Sequence, residues 1–400
     1  MKKILFVINT LGRAGAETAL FALLNSLDQT QYDVSLYVIM AQGEMIPSLP
    51  PYVHLLNPTY DTESVLSKQG RKTMVKTVLG AWFRNGHVIR KTGYLAARLR
   101  EMQKRKRMQT DKLLWRMMSD GSIRFDQTFD LAVAYLEGAS TYYVADYVKA
   151  KKKAAFVHID YESSGYTREM DRDCYERMDR IFTVSAEVKE HFLKVYPQYR
   201  DKTMVFHNMI DRKRILRMAE EPGGFTDHWD GTRLLTVGRL TPQKAYDIAV
   251  KAMRLIKDAG YRVRWYVLGE GSERAKLEKE IEALGLQKEF ILLGATENPF
   301  PYYKQADIYV HATRFEGKSI AIQEAQILGC PVIASDCNGN REQIQNGEDG
   351  LLCSLNPQAI ADCITGLIGE PEKQKRFVEA AKKKQEDHRE DLELLLEMTK

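Results

Sequence analysis

Four hundred residues exceed one ordinary domain and suit two of about 150–200 residues each. A composition of 44% hydrophobic and 28% charged residues is globular and excludes a fibrous or disordered chain. The net charge of +5 hides an asymmetry: residues 68–116 hold fifteen Lys or Arg against Glu101 and Asp111, so the remainder is net −8.

The chain opens with Met1-Lys2-Lys3 and the apolar run Ile4–Ile8. That order imitates a signal peptide, but the run is too short, and polar Asn9 and Thr10 end it. No stretch reaches the roughly 20 apolar residues that span a bilayer. The expectation is a soluble protein, or one held at a membrane from outside. Cys174, Cys330, Cys337, Cys353 and Cys363 form no CxxC pair and are odd in number. They read as reduced thiols of a cytosolic protein.

Ile4–Ile8 is a buried strand by length and branching. Asn9–Glu17 is the turn after it, and a helix follows to about Leu27, with Ala19, Leu20, Leu23, Leu24 and Leu27 on one face. Tyr32–Met40 is the next strand, which completes a βαβ unit and implies a parallel sheet. Gly12 and Gly15 do not match GxGxxG and no acidic residue ends the second strand, so a nicotinamide dinucleotide is disfavoured. Gly15 either brings its backbone N–H near a phosphate or serves a tight turn only.

Residues 68–116 interrupt this rhythm. Trp82, Phe83, Tyr94, Trp115 and aliphatic residues alternate irregularly with the basic ones. Basic helices with aromatics on the other side read as interfacial, and each cation near an anionic bilayer contributes about 1 kcal/mol. The plainer reading is a solvated helical pair over the sheet. Nucleic acid is a third, but no binding motif accompanies the charge.

Leu131–Leu136, Ala154–Val157, Ile181–Val184 and Met204–His207 resume the strands, and Ser185 caps the helix after the third. His158 sits at a strand's carboxyl end, where open α/β sheets bind ligands. Asp171-Arg172-Asp173 spells DxD but lies in a charged helical stretch and reads as surface. Residues 211–231, with Pro222-Gly223-Gly224, read as a linker.

The rhythm then restarts with strands at Leu234–Val237, Val263–Leu268, Phe290–Leu293, Ile308–Ala312, Val332–Ser335 and Leu351–Cys353. Helices are expected at Ala245–Ala259, Glu273–Leu284 and Ser319–Leu328, and a charged one towards Lys400. The organisation is therefore α/β: two Rossmann-like, doubly wound domains facing across a cleft. Residues 1–210 form the first, with a basic helical insertion at about 61–127. The linker follows, then a domain at 232–375 and a helix at 376–400.

Chemistry concentrates in the second domain. Arg239 ends a strand and Lys244 precedes the next helix, a pair suited to clamp a diphosphate; alone, each reads as surface charge. Gly269-Glu270-Gly271 and Gly294 are glycine turns at strand ends, where backbone groups suit a flat base edge. The stretch Arg314–Pro331, RFEGKSIAIQEAQILGCP, places Glu316 in a loop and Glu324 eight residues later on a helix. Gly317 lets backbone approach closely, and the helix start near Lys318 and Ser319 offers unpaired N–H groups to an anion. Carboxylates repel that anion, so they are left to hold neutral hydroxyls around it. Phosphate flanked by hydroxyl-rich groups is the chemistry of a nucleotide-sugar.

These pieces resemble glycosyltransferase family 4, retaining enzymes of the two-Rossmann glycosyltransferase-B fold. The resemblance rests on Gly15-Ala16-Glu17, His158, His207–Asp211, Gly238-Arg239-Leu240 with Lys244, Gly269-Glu270-Gly271 and the Glu316-x7-Glu324 motif. It implies that the first domain binds acceptor and the second binds donor. It further implies that Arg239 and Lys244 bind the donor diphosphate and that Gly15 offers an N–H to its distal phosphate. Glu324 would hold ribose hydroxyls, and Glu316 with the N–H groups of Gly317, Lys318 and Ser319 the transferred sugar. His158 would lie near sugar or acceptor. The carrier implied is UDP, with GDP left open, and the acceptor a lipid-linked or polysaccharide chain at the inner face of the cell membrane.

Both signature carboxylates are thus committed to hydroxyls, which leaves no nucleophile for double displacement. Front-face transfer is expected, with Arg239, Lys244 and the helix start stabilising the departing phosphate and no metal or other cofactor. Three alternatives stay open: a nucleotide-sugar epimerase, a sugar phosphorylase, or a non-catalytic partner in polysaccharide assembly.

Overall fold

A computed structural model of the chain describes residues 1–65, 67–86, 88–104, 110–162, 164–384 and 389–400. Basic residues Arg105, Lys106 and Arg107 of the insertion therefore lie outside the described residues. The chain divides into two compact units, Met1–Met209 with His388–Lys400, and Ile210–Asp387.

The first unit is built on β1 (Lys2–Ile8), β2 (Tyr32–Val38), β3 (Val53–Leu55), β4 (Thr128–Ala134), β5 (Lys149–Val157), β6 (Arg180–Thr183) and β7 (Thr203–Val205). They form one sheet in the order β3-β2-β1-β4-β5-β6-β7, with every pairing parallel. Successive residues of β1 feed opposite cores: Leu5 and Val7 join one cluster, and Ile4, Phe6 and Ile8 the other. This burial on both faces is why the strand reads as a continuous apolar run.

The second unit repeats the design with β8 (Thr232–Val237), β9 (Val263–Leu268), β10 (Phe290–Gly294), β11 (Ile308–His311), β12 (Val332–Ser335) and β13 (Leu351–Cys353). Their order is β10-β9-β8-β11-β12-β13, again all parallel. Strand order reverses between β8 and β11, so the loops leaving those two strands border the topological switch point.

The structure departs from the sequence reading in several places. Strand β3, of three residues, was not anticipated, because so short a segment carries no alternation. Helices Ala139–Tyr147, Phe300–Gln305 and Pro357–Ile368 were also missed. The short helix Asn338–Arg341 was not anticipated either. Residues 211–231 are not a free linker. They contain the helix Arg212–Met218, whose Ile215 is buried in the second unit's core, and Asp211 caps it by accepting from the Arg214 N–H at 2.9 Å. The Pro-Gly-Gly break is real, with Gly224 at φ +96°, yet the following Phe225 N–H is held by Gln305 Oε1 at 2.9 Å.

The stretch 376–400 is likewise not one helix. Pro371–Lys383 belongs to the second unit and Arg389–Leu396 to the first, while residues 385–388 lie outside the described residues. Leu395 is fully buried against the first sheet, and Asp391 Oδ2 accepts from the His207 backbone N–H at 3.0 Å. Apolar burial at Leu395 decides where this end of the chain goes.

Candidate functional site

The loop leaving β11 is fastened before it reaches Glu316. Thr313 is buried; its N–H donates to Ser335 Oγ at 2.9 Å and its hydroxyl to the Gln243 carbonyl at 3.1 Å. The Arg314 N–H donates to the same carbonyl at 2.8 Å, and its guanidinium grips Asp247 at 2.8 and 3.1 Å. Gln243 returns the contact through Nε2 to the Phe315 carbonyl at 2.9 Å. The loops after β8 and β11 are thus laced together at the switch point. Gly339 makes room for them: a Cβ there would stand 1.7 Å from the Gly317 carbonyl oxygen.

On that platform Glu316 Oε2 receives two donors, the Lys244 ammonium and His311 Nε2, the latter at 3.2 Å. Neither contact uses Oε1. Burial opposes the charge on Glu316, but Lys244 and His311 outweigh it and hold the carboxyl well below the usual range. Burial first, and Lys244 second, push the His311 pKa down, so the imidazole is neutral. Its Nδ1 lies 3.0 Å from the Tyr309 hydroxyl.

Glu324 is buried on the second turn of the helix Ile320–Ile327, and its Oε2 accepts from the Tyr303 hydroxyl at 3.0 Å. Burial raises its pKa to about 7, against the opposing pull of Tyr303 and Arg214. The rings of Tyr303 and Tyr309 pack against each other with centroids 5.3 Å apart. Two buried hydrogen-bonded sets, Glu324–Tyr303 and Tyr309–His311–Glu316, thus meet at that ring contact. Sequence reasoning missed Tyr303, Tyr309 and His311. The available signal was His311, a polar residue at the end of an otherwise apolar parallel strand.

The remaining expected residues of this unit border the same strand ends. Arg239 is exposed just past β8, and among the described residues no acid pairs with its guanidinium. Gly294 ends β10 at φ +87°, a left-handed conformation that favours glycine, and its carbonyl accepts from the Gly269 N–H at 2.8 Å. Gly317 and Lys318 are half-buried in the loop. Ser319 occupies the N-cap of the Ile320–Ile327 helix, yet its side chain caps no N–H. That helix start thus lacks a protein cap, as an anion site requires.

In the first unit, Gly15 is exposed as the first residue of the helix Gly15–Asn25, which likewise has no side-chain cap. His158 follows β5, and its backbone N–H donates to Glu137 Oε2 at 3.1 Å. Its ring packs 5.1 Å from Tyr135, and burial lowers its pKa to about 4, so it too is neutral. Nε2 of His158 is buried without a hydrogen-bond partner among the described residues.

The DxD reading needs correction. Asp171 is fully buried and accepts from the hydroxyls of Tyr161, Tyr196 and Tyr142 at 2.5, 2.6 and 2.7 Å. Arg116, at the end of the basic segment, is buried beside it; its guanidinium lies over the Tyr142 ring at 3.9 Å and bonds Asp146 at 2.7 Å. A carboxylate with three tyrosine donors has its lone pairs committed to the fold.

The basic segment is likewise part structural. Lys91 is buried and donates to the carbonyls of Ala81, Trp82 and Arg84, closing the end of the helix Lys68–Phe83. Met117 and Met118 belong to the first unit's core. Val75, Leu79, Phe83 and Ile89 instead stand exposed, beside exposed Arg71, Lys72 and Lys76. No helix of the described residues is long and apolar enough to cross a membrane.

Residues 229–384 match the family described as Glycosyl transferases group 1. Among curated relatives, the poly(glycerol-phosphate) alpha-glucosyltransferase of Bacillus subtilis is 25% identical over 230 residues, covering 57% of this chain and 33% of its own length. The N-acetylgalactosamine-N,N'-diacetylbacillosaminyl-diphospho-undecaprenol 4-alpha-N-acetylgalactosaminyltransferase of Campylobacter jejuni is 26% identical over 210 residues, 52% of this chain and 56% of its own. The chain thus spans from a third to just over half of these relatives' length. Among solved structures, Anabaena HepE in complex with UDP and glucose is similar with a TM-score of 0.70 at 16% identity, covering 99% of both chains. That likeness is one of fold, and it agrees with the two Rossmann-like units.

Proposed function

We propose that this protein is a retaining glycosyltransferase. It moves a hexose or N-acetylhexosamine from a UDP-sugar to a lipid-linked or polysaccharide acceptor at the cytoplasmic face of the membrane. The observation that carries the reading is the placement of Glu316 and Glu324. Both lie on the element leaving β11 at the switch point, with an uncapped helix start and with Arg239, unpaired among the described residues, at the neighbouring strand end. The group 1 match over residues 229–384 supports the same chemistry, and the names of the two relatives supply the acceptor classes.

In this reading Glu324 receives the ribose hydroxyls and Glu316 the sugar hydroxyls through Oε1. Arg239, Lys244 and the helix start take the charge that develops on the departing diphosphate, a site already polarised before reaction. Gly294 turns backbone groups towards the base. The N–H groups of Gly317, Lys318 and Ser319 support the sugar, and Gly15 offers its own to the distal phosphate. His158 stays neutral, so it acts by hydrogen bonding through Nε2 to sugar or acceptor, with no proton transfer of its own. The leaving phosphate then assists removal of the acceptor proton, and cationic side chains serve in place of a metal. The exposed apolar and basic residues of the Lys68–Phe83 helix and Ile89 are assigned to an anionic membrane surface.

Radiolabelled UDP-sugars incubated with lipid-linked acceptor, with and without EDTA, test this. Label should enter the acceptor with retained anomeric configuration, and Glu316→Ala or Arg239→Ala should reduce transfer at least a hundredfold. Product without acceptor, or dependence on free phosphate, would point instead to epimerisation or phosphorolysis.

A further inference from the structure

We propose that His311 is a positioning residue for the sugar end of the donor site: it holds Glu316 through Nε2 and is itself held by Tyr309. This rests on the glycosyltransferase reading above.

Proton placement sets the direction of these contacts. Glu316 is ionised beside Lys244, so it presents only lone pairs to His311. The imidazole nitrogen facing it at 3.2 Å must therefore carry the hydrogen, and Nδ1 must carry the lone pair. Tyr309 supplies a hydroxyl to that lone pair at 3.0 Å, closer than its other acceptor, the Val237 carbonyl at 3.3 Å. The opposite tautomer would point an imidazole lone pair at a carboxylate, and is excluded by repulsion. Tyr309, His311 and Glu316 thus form a directed chain of donors. His311 is 1% exposed and Tyr309 fully buried, so neither is placed to touch a ligand.

The consequence is geometric. Lys244 Nζ sits on a flexible stem and attracts Glu316 without fixing its rotation. The ring N–H, rigid on β11, sets which oxygen faces inward and leaves Oε1 for the sugar. Tyr303 plays the matching part for Glu324 at the ribose end. The two ends are then separable by the ligand used.

Calorimetric titration with UDP and with UDP-glucose and UDP-N-acetylglucosamine tests this, alongside a melting curve for each variant. In the wild type one UDP-sugar should bind. His311→Phe should weaken that UDP-sugar at least tenfold while UDP affinity moves less than threefold. His311→Gln, which restores an N–H at similar reach, should recover most of the loss. Tyr309→Phe should show the same selective loss at smaller size, and serves if His311→Phe does not fold. Tyr303→Phe should weaken UDP and UDP-sugar alike. Equal loss of UDP and UDP-sugar in His311→Phe, no loss, or no rescue by Gln overturns the assignment while leaving the enzyme class intact. A wild type that binds neither UDP nor UDP-sugar overturns both.

Discussion

Lys244 and Glu316, seventy-two residues apart in sequence, form an ion pair at the junction of the loops after β8 and β11. From sequence, one was a phosphate clamp and the other a sugar handle. In the structure each also conditions the other, because the cation holds the carboxylate charged and the carboxylate localises the cation.

Lys244→Met leaves a largely buried carboxylate without its cation, which costs roughly 3 kcal/mol at pH 7. The folded pKa of Glu316 is depressed, so the stabilisation exists above the unfolded carboxyl value of about 4.3 and is lost as pH falls towards the folded one. Urea titrations should therefore separate wild type and variant at pH 7, and the gap should narrow in acid. Adding Glu316→Gln should recover part of the stability but none of the transfer, a non-additivity that a double-mutant cycle reads directly.

Glu324 carries the opposite sign. Its pKa is raised to about 7 by burial, so the folded state binds the proton more tightly than the unfolded one. Stability on this account is unaffected below about pH 4, falls between there and pH 7, and is level above. Glu324→Gln should stabilise the protein by up to about 3 kcal/mol at pH 8, with no gain near pH 4. It should also weaken UDP binding. In the wild type UDP affinity should rise from pH 6 to 8 as the carboxylate forms, and the Gln variant should flatten that rise. A stability gain that persists in acid would refute the assignment.

The exposed Val75, Leu79, Phe83 and Ile89 sit among exposed Arg71, Lys72 and Lys76. Sedimentation with vesicles should show binding that requires anionic lipid and weakens with salt, the Debye length shrinking from about 10 to 3 Å between 0.1 and 1 M. Leu79→Glu with Phe83→Glu should reduce it about tenfold. Equal binding to neutral vesicles would defeat the proposal.

Asp171→Ala leaves three tyrosine hydroxyls without their shared acceptor. Each unsatisfied buried donor costs about 1–3 kcal/mol, so the first unit should melt far below the wild type. Manganese or EDTA should leave the wild-type melting temperature unmoved. A metal-dependent melting shift that disappears in Asp171→Ala would show instead that this carboxylate takes a metal.

Much of the candidate site was legible because its parts are adjacent in sequence. Glu316 and Glu324 share one loop and helix, and Arg239 and Lys244 share another loop, so spacing and strand-end position sufficed to propose a donor site. Twelve of the thirteen strands among the described residues were legible too, because a strand covered on both faces must be apolar along its length. What sequence could not decide were relations between distant residues. His311 and Tyr303 looked like ordinary members of a strand and a loop until folding brought their polar atoms to Glu316 and Glu324. Asp171 looked like surface because its charge is visible in the sequence and its three tyrosine partners are scattered over residues 142–196. Lys91 and Arg116 counted as surface charge for the same reason. Periodicity records which face of an element is buried, and a hydrogen bond or ion pair across elements has no period. The chemistry of the RFEGKSIAIQEAQILGCP stretch was written locally, whereas the means that orient its carboxylates were decided only by the tertiary fold.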